Sequence, residues 1–199
     1  MTEPVLYYVR HGETEWNREG RLQGQQDSVL TPRGRAQAVQ SAEILRDLVT
    51  REGGDIAALD FVASPLGRAR ITMENLRATL GLDPADYRTD VRLAELAFGC
   101  WEGVAYPELL AREGDALAAR ERDKWNFAPP GGESYADLMA RVGAWHATVE
   151  RPSVVVAHGG TARALVALRG IVPPEKAAAF DIDQGVVYLF TAGGVVRYA

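Results

Sequence analysis

The stretch Val5-Leu6-Tyr7-Tyr8-Val9-Arg10-His11-Gly12 decides the fold of this chain. Its β-branched and aromatic residues predict a buried strand that delivers a histidine to its carboxyl end. A second run of the same kind, Ser153-Val154-Val155-Val156-Ala157-His158-Gly159-Gly160, also ends on His-Gly. Ligands of open α/β sheets bind at the carboxyl ends of the strands, so we expect the two histidines to meet there.

A third predicted strand, residues 60–63, runs into Ser64-Pro65-Leu66-Gly67-Arg68. Arg68 then falls in the first turn of a helix, where the macrodipole disfavours a cation unless an anion is nearby. Arginine matches phosphate oxygens with two hydrogen bonds and stays charged at any relevant pH. A histidine among such cations can stay neutral and attack phosphorus. The residues that converge, Arg10, His11, Arg68 and His158, therefore indicate a phosphate site.

Strands and helices alternate along the chain, which predicts a layered α/β fold. Thr31-Pro32 has the pattern of a helix start, and this helix is expected to reach about Arg51. Ser134, with an aspartate three residues later, predicts a second capped helix. Residues 185–198 read as a terminal hairpin that turns at residues 192–194.

The composition of the chain limits the classes of protein to which it can belong. The chain has 199 residues and a net charge of -5, which favours one compact domain and argues against nonspecific nucleic-acid binding. Its only cysteine, Cys100, fits a reducing compartment. Residues 1–4 lack a basic leader region, and no apolar run is long enough to cross a bilayer. We expect a cytoplasmic protein without a membrane or nucleic-acid partner.

Further motifs follow in a fixed order between residue 5 and about 170. They are Arg10-His11-Gly12-Glu13-Thr14, Trp16-Asn17, Gln23-Gly24, Ser64-Pro65-Leu66 with Arg68-Ala69, Leu93-Ala94-Glu95 with Phe98-Gly99 and Trp101-Glu102-Gly103, and His158-Gly159-Gly160. This ordered set resembles the histidine phosphatase superfamily, and within it the phosphoglycerate-mutase-like branch. Two departures lie outside the expected chemistry: Ile71, where many relatives have a polar residue, and Cys100, at a variable position.

The resemblance implies a single histidine phosphatase domain over residues 1–199, built as three α/β/α layers around a mostly parallel mixed sheet of about six strands. It implies that His11 becomes phosphorylated and that Glu95 is the general acid and base. A carboxyl beside a bound phosphate dianion keeps its proton through like-charge repulsion and can donate it. The remaining expected roles are phosphoryl binding by Arg10, Arg68 and His158, and pocket lining by Asn17, Gln23, Gly24 and Gly159. No metal or other cofactor is expected, and relatives are often homodimers.

The segment of about residues 96–133 is long and irregular, and we expect it to form a cap over the crevice. Its aromatic residues either line the substrate pocket or pack the cap onto the core; they are Trp101, Tyr106, Trp125 and Phe127. Three of its basic residues could clamp a carboxylate, but acidic residues alternate with them, which favours a solvated helix face; they are Arg120, Arg122 and Lys124. Glu133 has both a functional and a structural interpretation, whereas His146 is expected to be structural.

Three functions compete. The leading hypothesis is a phosphomonoesterase, whose phosphohistidine is cleared by water. The second is a phosphoglycerate mutase, which must shield that intermediate from water; relatives of that kind are expected to be longer, with a tail over the site. A phosphate-binding protein without activity is the third. Candidate substrates are sugar phosphates, phosphoglycerates, nucleotide-loop phosphates of cobalamin assembly, phosphoserine and phosphorylated protein histidines.

Overall fold

A six-stranded sheet forms the centre of the computed structural model, which describes residues 3–199; Met1 and Thr2, at the start considered above for a leader, lie outside the described residues. The strands are β1 (Leu6–Arg10), β2 (Asp60–Ala63), β3 (Arg88–Thr89), β4 (Ser153–Ala157), β5 (Val187–Thr191) and β6 (Gly194–Tyr198). Their order is β3-β2-β4-β1-β5-β6, parallel from β3 to β1 and antiparallel from β1 to β6. The predicted mostly parallel mixed sheet is confirmed.

Seven α-helices are present among the described residues. They are α1 (Glu15–Arg18), α2 (Pro32–Arg51), α3 (Gly67–Leu80), α4 (Tyr106–Arg122), α5 (Tyr135–His146), α6 (Gly159–Leu168) and α7 (Pro174–Ala177). Side chains cap the starts of α1, α2 and α5. The Thr31 side chain accepts a hydrogen bond from the Gly34 amide at the start of α2. Ser134 and Asp137 form a reciprocal capping box at the start of α5. The ends predicted for α2 and the start predicted for α5 are therefore correct.

Helices cover both faces of the sheet. Because side chains alternate along a strand, Leu6 and Tyr8 of β1 face α5 and α6, while Tyr7 and Val9 face α2 and α3. The residues of β4 divide between the same two clusters in the same alternating way. The central strands are thus buried on both sides, and the layers are α, β and α, as expected.

The register of the central strands brings three loops together. β4 lies between β1 and β2, with Arg10 opposite Ala157 and Ala63 opposite Val156. One residue further on, His11 donates its backbone amide to Ala157 O (2.9 Å), and Ser64 donates its own to Val156 O (3.0 Å). The carboxyl ends of the three strands therefore present their loops to one crevice.

The segment of residues 96–133 carries a small apolar cluster of its own, formed by Trp101, Leu109 and Leu117. Its helix α4 is interrupted at Glu113, whose φ and ψ are -132° and 33°. That this segment forms a separate cap, with boundaries at about residues 96 and 133, stays a prediction. Between residues 3 and 199, no helix has both the length and the apolar character needed to cross a bilayer.

Candidate active site

His11 lies directly after β1, and its side chain is buried. Its Nδ1 is 2.8 Å from Gly12 O, so Nδ1 carries the proton of the neutral ring and Nε2 keeps a free lone pair. Burial lowers the pKa of His11 well below 6.5, and the charges of Arg68 and Arg10 lower it further. The site therefore holds the ring in the neutral form that a nucleophile needs.

Two arginines next to His11 are fixed by backbone carbonyls. Arg10 Nη1 donates to Ile182 O (2.7 Å). Arg68 Nη1 donates to Gln26 O, and its Nη2 donates to Gly24 O (2.6 Å each). The Nε of each guanidinium is buried, and among the described residues neither has a hydrogen-bond partner. Because buried donors are normally satisfied, these two N–H groups indicate a place for an acceptor.

His158 follows β4 and is completely buried. Its Nε2 is 2.7 Å from Ser64 Oγ, which in turn accepts the Leu66 amide (3.3 Å). In the tautomer in which Ser64 donates its hydroxyl proton to Nε2, the ring proton lies on Nδ1, a buried atom without a partner within residues 3–199. Burial, with Arg68 and His11, lowers the pKa of His158 well below 6.5. Tyr8 holds the backbone, since its hydroxyl donates to His158 O (2.6 Å) and accepts from His158 N (2.9 Å).

Asn17 is oriented by its own acceptor atom. Its Oδ1 accepts hydrogen bonds from the Thr14 amide (3.1 Å), the Thr14 hydroxyl (3.2 Å) and Gln184 Nε2 (3.2 Å). Gln184 also donates to His11 O (3.0 Å) and so joins Asn17 to the loop that carries His11. Because Oδ1 of Asn17 accepts these hydrogen bonds from the protein, its amide nitrogen remains as the donor for a ligand in the cavity.

Glu95 follows a short 3₁₀ turn, Val91–Leu93. Its carboxylate accepts the backbone amides of Leu96 (2.8 Å) and Gly160 (3.2 Å), the second in the first turn of α6. Arg141 Nη2 donates to Glu95 O (2.9 Å), and Glu133 pairs with Arg141 (2.8 Å). Glu133 thus acts structurally, by fixing the loop that carries Glu95.

A cavity of about 170 Å³ collects these groups. Eight of the nine predicted site residues line it, namely Arg10, His11, Asn17, Gln23, Gly24, Arg68, Glu95 and Gly159. His158 lies behind the surface, with its ring centroid 5.1 Å from that of His11. The sequence analysis did not identify four of the lining residues as site residues; they are Arg21, Leu22, Phe98 and Arg163. Arg21 and Leu22 adjoin the predicted Gln23-Gly24 pair, and Phe98 belongs to a quoted motif, whereas no signal singled out Arg163.

The model of the histidine phosphatase superfamily, branch 1, matches residues 6–195. The chain belongs to this superfamily. A glucosyl-3-phosphoglycerate phosphatase of Mycobacterium tuberculosis is 38% identical over 176 residues, which cover 81% of this chain and 73% of the relative. A mycobacterial structure of a protein of that name, in complex with VO3, has a TM-score of 0.77 at 34% identity and covers 94% of this chain and 92% of its own. The predicted family, fold class and enzyme class, a phosphoric monoester hydrolase, are confirmed.

The mutase branch is also represented among the relatives of this histidine phosphatase. A 2,3-bisphosphoglycerate-dependent phosphoglycerate mutase of Brucella anthropi is 30% identical over 204 residues, covering 96% of this chain and 95% of the relative. The expectation that mutases are longer is wrong for this relative. Chain length therefore does not separate phosphatase from mutase here.

Three of the four aromatic residues singled out in the 96–133 segment are engaged in packing. Trp101 stacks on Phe127, with ring centroids 5.8 Å apart, and Trp125 stacks on Tyr135 at 5.7 Å. Tyr106 is exposed and lies outside the cavity lining. Trp125 packs the segment onto the core, as the packing alternative predicts, whereas Trp101 and Phe127 pack in the segment's own apolar cluster. Phe98 is the residue through which the segment reaches the cavity of this histidine phosphatase.

Proposed function

We propose that this protein is a metal-independent phosphomonoesterase that hydrolyses a small phosphorylated metabolite through a phosphohistidine on His11. One observation carries the proposal. Arg10 Nε and Arg68 Nε are buried N–H groups without a partner in the described chain, and both arginines line one cavity with His11, a neutral imidazole whose Nε2 lone pair is free. A phosphoryl group supplies the acceptor oxygens that these donors lack and the electrophile that Nε2 attacks.

In the first step, the Nε2 lone pair of His11 forms a bond to phosphorus while the bond from phosphorus to the leaving oxygen breaks. Arg10, Arg68 and His158 donate to the equatorial oxygens, where charge accumulates in the transition state. Asn17 contributes its amide nitrogen. The amide of Gly159, at the positive end of α6, adds a backbone donor.

Glu95 supplies the proton for the leaving alkoxide. Its carboxyl group lines the cavity and is held by two backbone amides, so its position is fixed with respect to the bound ester. In the second step, the Glu95 carboxylate takes a proton from water, the water oxygen bonds to phosphorus, and the bond from phosphorus to Nε2 breaks. Inorganic phosphate leaves and Glu95 is protonated again, so the cycle closes.

The lining of the cavity favours hydrolysis of the phosphohistidine over transfer of its phosphoryl group back to a substrate hydroxyl. A mutase needs a phosphohistidine shielded from water between turnovers. In this chain the apolar residues that line the cavity are Leu22 and Phe98, while Trp101, Trp125 and Phe127 of the 96–133 segment are committed to packing. We infer that water reaches the phosphoryl group in this mostly polar cavity and hydrolyses the intermediate.

The experiment is release of inorganic phosphate from p-nitrophenyl phosphate and a panel of phosphomonoesters, in EDTA, by wild type, His11→Ala and His146→Ala. His146 is the matched control because it lies at the end of α5 and contacts Arg169 outside the site. We expect chelator-resistant hydrolysis that His11→Ala abolishes and His146→Ala retains. Interconversion of 3-phosphoglycerate and 2-phosphoglycerate with 2,3-bisphosphoglycerate, in the absence of hydrolysis, would establish the mutase instead.

Two further expectations belong to this proposal, a cytoplasmic location and a homodimer. The exposed single thiol of Cys100 supports a reducing compartment, and the dimer rests on the family likeness. Fractionation of the source cells checks the first. Light scattering on a size-exclusion column checks the second.

A further inference from the structure

Glu102 lies behind two walls of the active-site cavity. Its side chain is partly buried and is not part of the cavity lining. Its Oε1 accepts the backbone amides of Gln25 and Phe98 (3.0 Å each). Phe98 lines the cavity itself, and Gln25 directly follows Gln23 and Gly24, which also line it. One carboxylate oxygen therefore joins two parts of the cavity wall to each other.

A single peptide group connects Glu102 to Arg68. The Gln25 amide, which donates to Glu102, and the Gly24 carbonyl, which accepts from Arg68 Nη2 (2.6 Å), belong to the same peptide unit. A trans peptide unit is planar, and its N–H and C=O bonds point in opposite directions. A partner on the N–H side therefore fixes the direction of the carbonyl, so Glu102 sets how this carbonyl meets the guanidinium of Arg68.

The backbone at Gly24 fits closely against the same carboxylate. A Cβ built on Gly24 would overlap the Glu102 carboxylate, and the φ of Gly24 is 54°, a value that favours glycine. The missing side chain is what lets the peptide unit approach Glu102. Two motifs quoted from the sequence, Gln23-Gly24 and Trp101-Glu102-Gly103, thus meet in this contact.

The two segments are also joined by backbone hydrogen bonds that do not involve the Glu102 side chain. Gly103 N donates to Leu22 O (2.7 Å), and Leu22 N donates to Val104 O (3.1 Å). These bonds hold the segments together next to the contact described above. Removal of the Glu102 side chain should therefore leave the segments attached and release only the 23–26 loop.

Phe98 has a second anchor besides Glu102. The guanidinium carbon of Arg120 lies 5.6 Å from the centroid of the Phe98 ring, and the Arg120 side chain is only 11% exposed. The expected solvated helix face is therefore wrong for Arg120, whereas it is correct for Arg122, which is exposed. Because Arg120 holds the ring of Phe98, loss of the Glu102 side chain should act chiefly on the 23–26 loop.

We propose that Glu102 is a positioning residue for catalysis, which orients Arg68 through the peptide group between Gly24 and Gln25. The inference rests on the phosphomonoesterase function proposed above. In that function Arg68 donates to the equatorial oxygens, where charge accumulates in the transition state. A misdirected guanidinium therefore costs more in the transition state than in the ground state, and the loss falls on kcat.

The test measures kcat and KM for p-nitrophenyl phosphate in three variants of Glu102. Glu102→Ala removes the acceptor, and Glu102→Asp keeps the charge but draws the oxygen back from both amides by one methylene. We expect each to lower kcat by about tenfold or more, with a smaller change in KM. Glu102→Gln keeps the length and an acceptor oxygen without the charge, and its kcat should stay within about threefold of wild type.

Glu108→Ala is the matched control. Glu108 belongs to the same segment, but it is exposed and pairs with Arg112 (3.1 Å) on the surface of α4. This variant should keep the kcat and the KM of wild type.

Two further measurements separate positioning from a general loss of structure. Vanadate imitates the five-coordinate transition state of phosphoryl transfer, whereas inorganic phosphate imitates the ground state. We expect Glu102→Ala to weaken inhibition by vanadate about tenfold, and inhibition by phosphate by less. In a double-mutant cycle, Glu102→Ala should cost little further activity once Arg68→Lys has removed the guanidinium that it orients.

The outcomes distinguish failure of this role from failure of the phosphatase function. If p-nitrophenyl phosphate is hydrolysed but Glu102→Ala and Glu102→Asp have the kcat of Glu108→Ala, the positioning role is refuted and the phosphatase stands. The same holds if Glu102→Asp is active and Glu102→Gln is not, or if the loss adds fully to that of Arg68→Lys. Should Glu102→Ala fail to fold, Glu102→Asp takes its place in every comparison.

Calorimetric titration with vanadate covers the case in which nothing is hydrolysed. Weaker binding of vanadate by Glu102→Ala or Glu102→Asp than by Glu108→Ala would then support the positioning role while the proposed function fails. Equal binding by all of these variants, or none, would overturn both.

Discussion

Asp27 holds Arg68 in its position at the start of α3. Asp27 Oδ1 accepts from Arg68 Nη1 (3.0 Å) and from the Arg68 amide (3.3 Å), while Oδ2 accepts the Gly67 amide (2.6 Å). The residue before α3, Leu66, provides no side-chain cap. A carboxylate from a distant loop therefore caps the helix and, at the same time, aims the Arg68 Nε at the phosphate site.

Replacement of Asp27 should thus impair both catalysis and stability. We expect Asp27→Ala to lower kcat/KM for p-nitrophenyl phosphate by about tenfold, and to lower the free energy of unfolding by about 1 kcal/mol through loss of the cap. Asp27→Asn keeps an acceptor oxygen and should lose less of each. Steady-state kinetics and urea unfolding measure the two effects. Unchanged kinetics in Asp27→Ala would show that Arg68 needs no support from this side chain.

Ser64 should matter to catalysis although it does not line the cavity. Without its hydroxyl, nothing holds the proton of His158 on Nδ1, and the ring can take the tautomer that offers the phosphate no donor. We expect Ser64→Ala to reduce kcat by about tenfold or more.

Ser41 is the control for that substitution. It is also fully buried, but its hydroxyl has no hydrogen-bond partner among the described residues. Ser41→Ala should therefore retain full activity and wild-type or greater stability, since it removes an unsatisfied polar group. Equal activity of the two variants would exclude the proposed role of Ser64.

The two site histidines should stay neutral in mildly acidic solution. Burial, with the charges of Arg68 and Arg10, holds the pKa of His11 well below 6.5, and burial, with Arg68 and His11, does so for His158. NMR titration of the imidazole protons should show neither ring protonating near pH 6.5. A ring that titrates there would contradict the buried, cation-flanked site.

The same pKa shifts predict acid sensitivity of the fold. The unfolded chain binds protons on these histidines below about pH 6.5, whereas the folded chain does not, so their stabilisation is complete above that pH and is lost as the pH falls. We expect each histidine to cost up to about 1.4 kcal/mol of unfolding free energy per pH unit below about pH 6. Urea unfolding across this range measures the slope, which His11→Ala should reduce.

Gly160 should be irreplaceable because its Cα faces Glu95, the proposed general acid. A Cβ on Gly160 would overlap Glu95 Oε1, so Gly160→Ala must displace the carboxylate from its backbone donors. We expect a loss of kcat of about a hundredfold, as for loss of a general acid. Gly114→Ala in α4, where a Cβ meets open space, should keep wild-type kcat. Activity of Gly160→Ala equal to that of Gly114→Ala would remove Glu95 from the mechanism.

The strands that carry the site residues could be predicted from the sequence. The contacts that orient the site residues could not. Val154 to Val156 and the run from Leu6 to Val9 are buried on both faces, so their composition alone marks them as central strands that end on His158 and His11. By contrast, Asp27 and Gln184 come from loops 41 and 173 residues away from their partners, and no local pattern reports such pairings.

Arg120 illustrates a second limit. Its alternation with acidic neighbours is typical of a solvated helix, but which side of α4 faces the cavity depends on how the 96–133 segment packs. The break in α4 at Glu113 changes the direction of the helix axis, and sequence periodicity gives no warning of it. Tertiary packing, and not the helix propensity of the residues, decides which of these charged side chains point toward the protein interior.

Direct detection of phosphohistidine on His11 is the most immediate test of the account. p-Nitrophenolate leaves without a proton, so Glu95→Gln should still form the phosphoenzyme from p-nitrophenyl phosphate but should hydrolyse it slowly. Rapid quench at alkaline pH, followed by mass spectrometry, should find one phosphoryl group on the peptide that contains His11, with a burst of one p-nitrophenolate per site. A phosphoryl group on another residue, or turnover without any phosphoenzyme, would contradict the account.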